Sequence, residues 1–197
     1  MKNKLILSLI LICISTTLLA STNLSLSLDQ TFRVNNELFY EHSDLQLKYK
    51  LGQNIDIFTD YRLVYQEKLD KDALRNVFMF GGNLKTTPNE YGQLALRSRV
   101  EVGLQNNVKT TLLETEMLRY YFPWEFTNLK FRPYIGNEFG FNGRNGMEFV
   151  RNRTYFGVDF KISKKIKSAV SYFIESSKVK NVWNESGIWE TSIKYEF

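Results

Sequence analysis

The chain is nearly without cysteine and histidine. Its 197 residues include one cysteine, Cys13, and one histidine, His42. Cys13 lies within an N-terminal leader, so the processed chain would carry no disulfide, no thiolate nucleophile and no thiolate metal ligand. A lone histidine without cysteine gives no metal-ligand spacing, and no cofactor is expected. No G-x-S-x-G, P-loop or G-x-G-x-x-G pattern occurs. Beyond residue 20 no apolar stretch is long enough for a spanning helix. The formal charge of +5 falls to about +3 once Lys2 and Lys4 leave, which is too small an excess to argue for a nucleic-acid partner.

The leader itself is clearly built. Lys2 and Lys4 precede an apolar run from Leu5 to about Leu19, and Ala20 supplies a small residue for cleavage. This is the layout of a secretory signal peptide over residues 1–20, leaving 21–197 as the mature domain. A retained membrane-anchoring helix is the alternative. A lipidation site at Cys13 fits poorly after the bulky Leu11 and Ile12. About 177 residues remain, enough for one domain with a full core. An exported chain with no second apolar helix is either soluble or a barrel.

What the chain does have is a period of two. From Gly187 to Phe197, Trp189, Thr191, Ile193, Tyr195 and Phe197 share one face while Glu190, Ser192, Lys194 and Glu196 share the other. The same alternation predicts ten strands, roughly 24–34, 38–50, 54–66, 73–85, 91–104, 109–122, 128–141, 150–162, 166–177 and 187–197. An even number of strands this long suits an antiparallel transmembrane β-barrel of the outer-membrane kind. Alternate connections support the parity if both termini are periplasmic. Those at Gly52-Gln53, Thr86 to Glu90, Phe122 to Asn128 and Ser163-Lys164-Lys165 are mostly short, whereas Glu67 to Asp72, Asn142 to Phe149 and Lys178 to Ser186 read as longer external loops. Asn106-Asn107 breaks the trend, being external yet short.

Alternation does not say which face points inward. A lipocalin-like carrier has an apolar interior and a wet exterior, the reverse of a membrane barrel. Aromatics at strand ends, such as Tyr120, Tyr121, Phe122, Trp124 and Phe126, resemble interfacial girdles. The polar faces carry mixed charges with glycine, as a packed polar lumen would. Both features favour lipid outside.

Hairpin geometry then turns charges into contacts. A two-residue turn at Asn106-Asn107 pairs Gln105 with Val108, and the continued ladder puts Arg99 opposite Glu114 and Arg97 opposite Glu116. A three-residue turn centred on Lys164 brings Arg153 opposite Glu175. Glu101, Arg132, Tyr134 and Glu138 point the same way, so a ladder of lumen ion pairs is expected across strands five to nine. A charge removed from water inside a narrow barrel needs a partner, because an unpaired one costs several kcal/mol. The plain reading is a charge-filled, structural lumen; the sharper one is an arginine track guiding anionic solutes. His42 lies on the polar face with Asp44, and Asp29 or Asp60 could approach it, but no spacing singles out a nucleophile or water-activating pair.

These residues resemble a known family. Arg97-Ser98-Arg99-Val100-Glu101 looks like its R-x-R-x-E strand, and Arg132-Pro133-Tyr134 with Asn137-Glu138-Phe139 is similar to its P-x-x-x-N-E-x-F segment. Asn152-Arg153 followed by Gly157, and the ending Ile193 to Phe197, look like its last strands. The family is the bacterial outer-membrane β-barrel group catalogued as domain of unknown function 2490, and the likeness covers roughly residues 24–197. The resemblance implies an outer-membrane location in a Gram-negative bacterium. It also implies that the terminal aromatics, Tyr195 and Phe197, form the signal read by the barrel-insertion machinery. It lends no activity. The sixth strand departs from the family, with Glu114 and Glu116 where Arg-rich alternation is expected.

The function expected is that of a monomeric, non-enzymatic barrel, either a narrow passive pore or a closed structural barrel, with outer-membrane lipid around it. The alternatives are an oligosaccharide- or anion-selective porin, a barrel hydrolase using His42, and a soluble periplasmic lipocalin-like carrier.

Overall fold

In the computed structural model, which describes residues 23–35, 39–68, 71–105, 108–143, 146–179 and 181–197, the chain forms one closed antiparallel barrel. Its strands are β1 (Leu24–Val34), β2 (Phe39–Lys50), β3 (Ile55–Lys68), β4 (Lys71–Lys85), β5 (Gln93–Gln105), β6 (Val108–Tyr121), β7 (Arg132–Asn142), β8 (Glu148–Lys161), β9 (Ile166–Val179) and β10 (Val182–Glu196). Each strand bonds its sequence neighbours, and β1 closes on β10 with Ser27 opposite Glu196 and Val34 opposite Trp189. Closure leaves no exposed edge to recruit another chain. The ten expected strands are all present. The main differences lie at β10, which begins five residues earlier than the alternation suggests, and β7, which begins four later. The expected signal peptide and the Asn106-Asn107 turn lie outside the described residues.

The interior is polar and the exterior apolar. Glu138 is 1% exposed, and His42, Asp44, Asp60, Arg99, Glu101 and Arg153 are buried beside Phe173, Met79 and Tyr155. On the other face Phe80 is 59% exposed and Trp189 61%, with Ile57, Leu96, Phe156 and Ile193 also bare. A soluble carrier barrel has the opposite arrangement, so this wall is built to meet acyl chains. Among the described residues no helix is long and apolar enough to cross a membrane.

Outer aromatics gather in two belts. At the rim that carries the chain termini, Phe122 stacks on Trp124 at 5.2 Å, Phe131 meets Phe160 at 5.3 Å, and Tyr195 meets Phe197 at 4.9 Å. At the far rim Phe149 lies against Phe141 at 5.7 Å and against Trp183 at 5.4 Å. Rings of this kind sit well at a membrane–water boundary, where one end of the side chain is wet.

The expected asymmetry of loop size is not there. Connections at the terminal rim run over 51–54, 86–92, 122–131 and 162–165, while those at the far rim cover only 35–38, 69–70, 106–107, 143–147 and 180–181. The charged and Asn-rich stretches that read as long external loops are instead taken into the strands. Lys71, Lys178 and Glu185 all lie within β4, β9 and β10, because each hairpin continues its ladder beyond the apolar band. A two-residue connection suffices at the tip of β9 and β10, where Asn181 adopts φ 67°, a left-handed conformation asparagine tolerates.

One irregularity changes the chemistry of the wall. Gln105 pairs with Val108 as expected, but Gly103 pairs with Thr111, so β6 carries one extra residue opposite Leu104. Side chains alternate strictly along a strand, so a one-residue bulge moves every later side chain of β6 to the other face. Thr115, Met117, Arg119 and Tyr121 therefore point inward. A second shift lies between Gly140 and Phe141 on β7, where β8 carries the additional residue.

Candidate functional site

The centre of the lumen is a layer of arginines and carboxylates. Glu138 of β7 is the hub. Its Oε1 accepts from Arg151 Nη2 at 2.9 Å and from Arg153 Nη1 at 3.1 Å, and its Oε2 from Arg99 Nη2 at 3.3 Å. Arg99 Nε also donates to Glu101 Oε1 at 2.8 Å, and Arg153 Nε donates to Glu175. Arg99 and Glu138 lie on strands separated by β6. The intervening positions are the short Thr115, opposite Arg99, and Gly140, so the guanidinium can reach across. Arg153, by contrast, stands directly between Glu138 and Glu175 in the ladder, the pairing that the tight turn after β8 predicts.

Two further pairs complete the layer from the other side of the barrel. Arg62 grips Asp44 with Nε and Nη2, both at 2.7 Å, and Arg33 Nε donates to Glu190 Oε2 at 2.6 Å. The Phe173 ring, fully buried, lies between Arg33 at 5.5 Å and Arg153 at 5.3 Å, so cation–π contact packs the layer as well as charge. Each of these charges has left bulk water, and removing one partner would strand the others at a cost of about 3–5 kcal/mol.

Cavities lie on both sides of this layer. A cavity of about 550 Å³ opens at the terminal rim and ends on Arg33, Arg62, Arg99, Glu138 and Tyr155. A second, about 370 Å³, lies toward the far rim and touches Arg33, Arg62 and Arg99 together with Arg75, Arg151 and Lys178. The same arginines thus face both cavities.

Of the residues picked out in sequence, Arg99, Glu101, Glu138, Arg153 and Glu175 meet in one network. Arg97 also points into the lumen, but its Nε donates to Asn83 Oδ1 at 2.8 Å and its guanidinium lies over Phe58. Arg132 points inward near the rim, where Nη1 donates to Gln93 Oε1 at 3.0 Å. Glu114 and Glu116 require correction. They face Val100 and Ser98 on the outer wall, not Arg99 and Arg97, and Glu116 accepts from Ser98 Oγ at 2.6 Å. The β6 bulge is the cause, since it reverses the facing of that strand. Tyr195 and Phe197 stand on the outer wall at the terminal rim, edge to face.

The alternation puts Arg62 and Arg151 on polar faces, but the expected ion-pair ladder does not include them or Arg33. Arg62 stands directly opposite Asp44 and Arg33 opposite Glu190, but the second pairing exists only through closure of β1 on β10. His42 is 2% exposed, with Nε2 3.6 Å from Asp44 Oδ2, and that carboxylate is already held by Arg62. Asp29 faces Asp44 across β1 and β2, so these aspartates gather inside the lumen and not at an open rim. No group of three or more metal-ligating side chains occurs among the described residues.

Comparison with known sequences decides the kinship. A family model described as protein of unknown function (DUF2490) matches residues 14–186. The chain belongs to the DUF2490 family. A search among curated proteins finds no match to it. Among solved structures, this DUF2490 chain is similar to a chain solved in work on the in-meso crystallization of membrane proteins, at 10% identity and a TM-score of 0.48, with 88% of this chain and 84% of that one covered. It is also similar to the translocator domain of the autotransporter NalP from Neisseria meningitidis, at 10% identity and 0.42, covering 90% and 89%. For outer-membrane expressed OmpT of Vibrio cholerae the values are 9% identity and 0.40, covering 86% of the DUF2490 chain and 64% of the other.

Proposed function

We propose that this protein is a monomeric outer-membrane barrel whose lumen is closed, a structural and non-enzymatic element of the membrane and not an open pore. An apolar outer wall with an aromatic belt at each rim supports the membrane placement. Outer-membrane lipid is then its surroundings, and Tyr195 and Phe197 are the residues offered to the insertion machinery. The observation that carries the closed reading is Glu138, 1% exposed and held by three arginines from β5 and β8. An ion crossing this layer would have to separate buried guanidiniums from the carboxylates they share, Glu138 with three arginines and Glu101 and Glu175 beside it.

Planar-bilayer recording tests this. The wild-type barrel, inserted from detergent, is expected to give no stepwise conductance. Glu138→Ala, which releases Arg99, Arg151 and Arg153 from their shared anchor, is expected to give anion-preferring steps. Regular ohmic steps from the wild-type protein would remove the closed reading and favour the anion-selective pore.

A further inference from the structure

More than half of the cations in the larger cavity form no direct ion pair with a carboxylate. Twelve cationic and eight acidic side chains line it. Five ion pairs join members of this set, Arg33 with Glu190, Arg62 with Asp44, Arg99 with Glu138, Lys130 with Glu125 and Lys167 with Glu196. Seven cations and three carboxylates are left outside any ion pair among the described residues. The surplus is concentrated between the central layer and the terminal rim.

Three of these cations are arginines on neighbouring strands, Arg97 on β5, Arg119 on β6 and Arg132 on β7. Each is held in place by neutral groups. Arg97 bonds Asn83 Oδ1, Arg119 Nη1 donates to Tyr121 Oη at 2.9 Å with its guanidinium 4.3 Å from the Tyr134 ring centre, and Arg132 bonds Gln93 Oε1 while lying over Tyr121. A guanidinium has five N–H donors, and these contacts use one or two of them. Their positions are therefore fixed by packing while most of their donors stay unused, and Asp159, opposite Arg132 on β8, is one carboxylate set against the three charges. Lys48, Lys85 and Lys194 line the same cavity from β2, β4 and β10.

We propose that this vestibule binds a small multivalent anion, one bearing several phosphate or carboxylate groups, admitted from the terminal rim. The volume of about 550 Å³ suits a small molecule, and the walls present preorganised forks that match either oxyanion bidentately. With Arg33, Arg62 and Arg99 closing the inner end, the site is a blind cup. The far cavity is a natural control, since its Arg75 donates to Thr111 Oγ1 at 3.1 Å and lies beyond the central layer.

Isothermal titration of the whole folded barrel in detergent micelles tests the proposal, with inorganic tripolyphosphate in one arm and citrate in the other. Saturable binding that weakens as salt rises is expected, and the tighter arm tells phosphate from carboxylate. Arg97→Gln combined with Arg132→Gln is expected to weaken binding about tenfold, as loss of charge-assisted bonds would. Arg75→Gln is expected to leave binding unchanged. If the double variant fails to fold, as read by loss of its gel-mobility shift on heating, Lys48→Gln with Lys85→Gln carries the same expectation. Absence of saturable heat with both probes, or equal weakening by Arg75→Gln, overturns the proposal. Conductance reports on the central layer and titration on the vestibule, so either can fail alone.

Discussion

Glu114 and Glu116 show how far a single side chain's role depends on which face it takes. Across strands five and six, simple hairpin counting pairs them with Arg99 and Arg97, yet both lie on the outer wall. A double-mutant cycle separates the two geometries. Arg153 and Glu175, in direct contact, are expected to show a coupling of about 1–3 kcal/mol, while Arg97 and Glu116, on opposite faces, are expected to be additive. Urea unfolding in lipid vesicles gives both numbers, and strong coupling between Arg97 and Glu116 would restore the unbulged register. Substituting the outer carboxylate tests the same point from the lipid side. Glu116→Leu is expected to stabilise the vesicle-embedded barrel by about 1–2 kcal/mol, because a carboxylate facing lipid is a burden there. Had Glu116 lined the lumen, the same change would destabilise.

Among the strands, β4 and β5 show where glycine is a requirement and where it is merely present. A Cβ at Gly81 would sit 2.3 Å from the Ser98 carbonyl oxygen and 2.8 Å from Arg99 Cβ. Neither atom belongs to a flexible side-chain end, so the strand itself would have to move. Gly82 faces outward, and a Cβ there would come no closer than 3.4 Å to the Asp56 carbonyl oxygen. Gly81→Ala is therefore expected to cost about 1–3 kcal/mol or to prevent folding. Gly82→Ala is expected to stay within about 0.5 kcal/mol of the parent. Unfolding midpoints of the two variants side by side decide it, and equal effects would sink the distinction. The pair also shows what was readable beforehand. The doublet suggests close approach or bending, but only the pairing of Gly81 with Arg99 says which of the two is essential.

The barrel taken as one object rests on its polarity. Trp189 stands on the outer wall, 61% exposed, against Tyr172 at 5.1 Å. In a variant with Trp124 and Trp183 replaced by Phe, brominated acyl chains are expected to quench Trp189 strongly and aqueous iodide weakly. Quenching in the reverse order would mean that this face meets water. The central layer belongs to the same level of description, because its members come from six strands, β1, β2, β3, β5, β7 and β8, with Glu175 and Glu190 added from β9 and β10. No one hairpin contains it.

The number of strands, their approximate ends and the two faces of most of them are local properties. They follow from an alternation that repeats every second residue and from turns short enough to set a register, so they are legible in residues such as Trp189 to Phe197 and in the pairing of Arg153 with Glu175. The rest needed closure. Arg33 meets Glu190 only because β1 pairs with β10, and Arg99 meets Glu138 only because the lumen is narrow enough to be bridged across β6. The facing of Glu114 and Glu116 depended on one extra residue in β6, which the alternation of the strand does not reveal. Contacts across a closed space are set by curvature and stagger, quantities that belong to no segment of the chain.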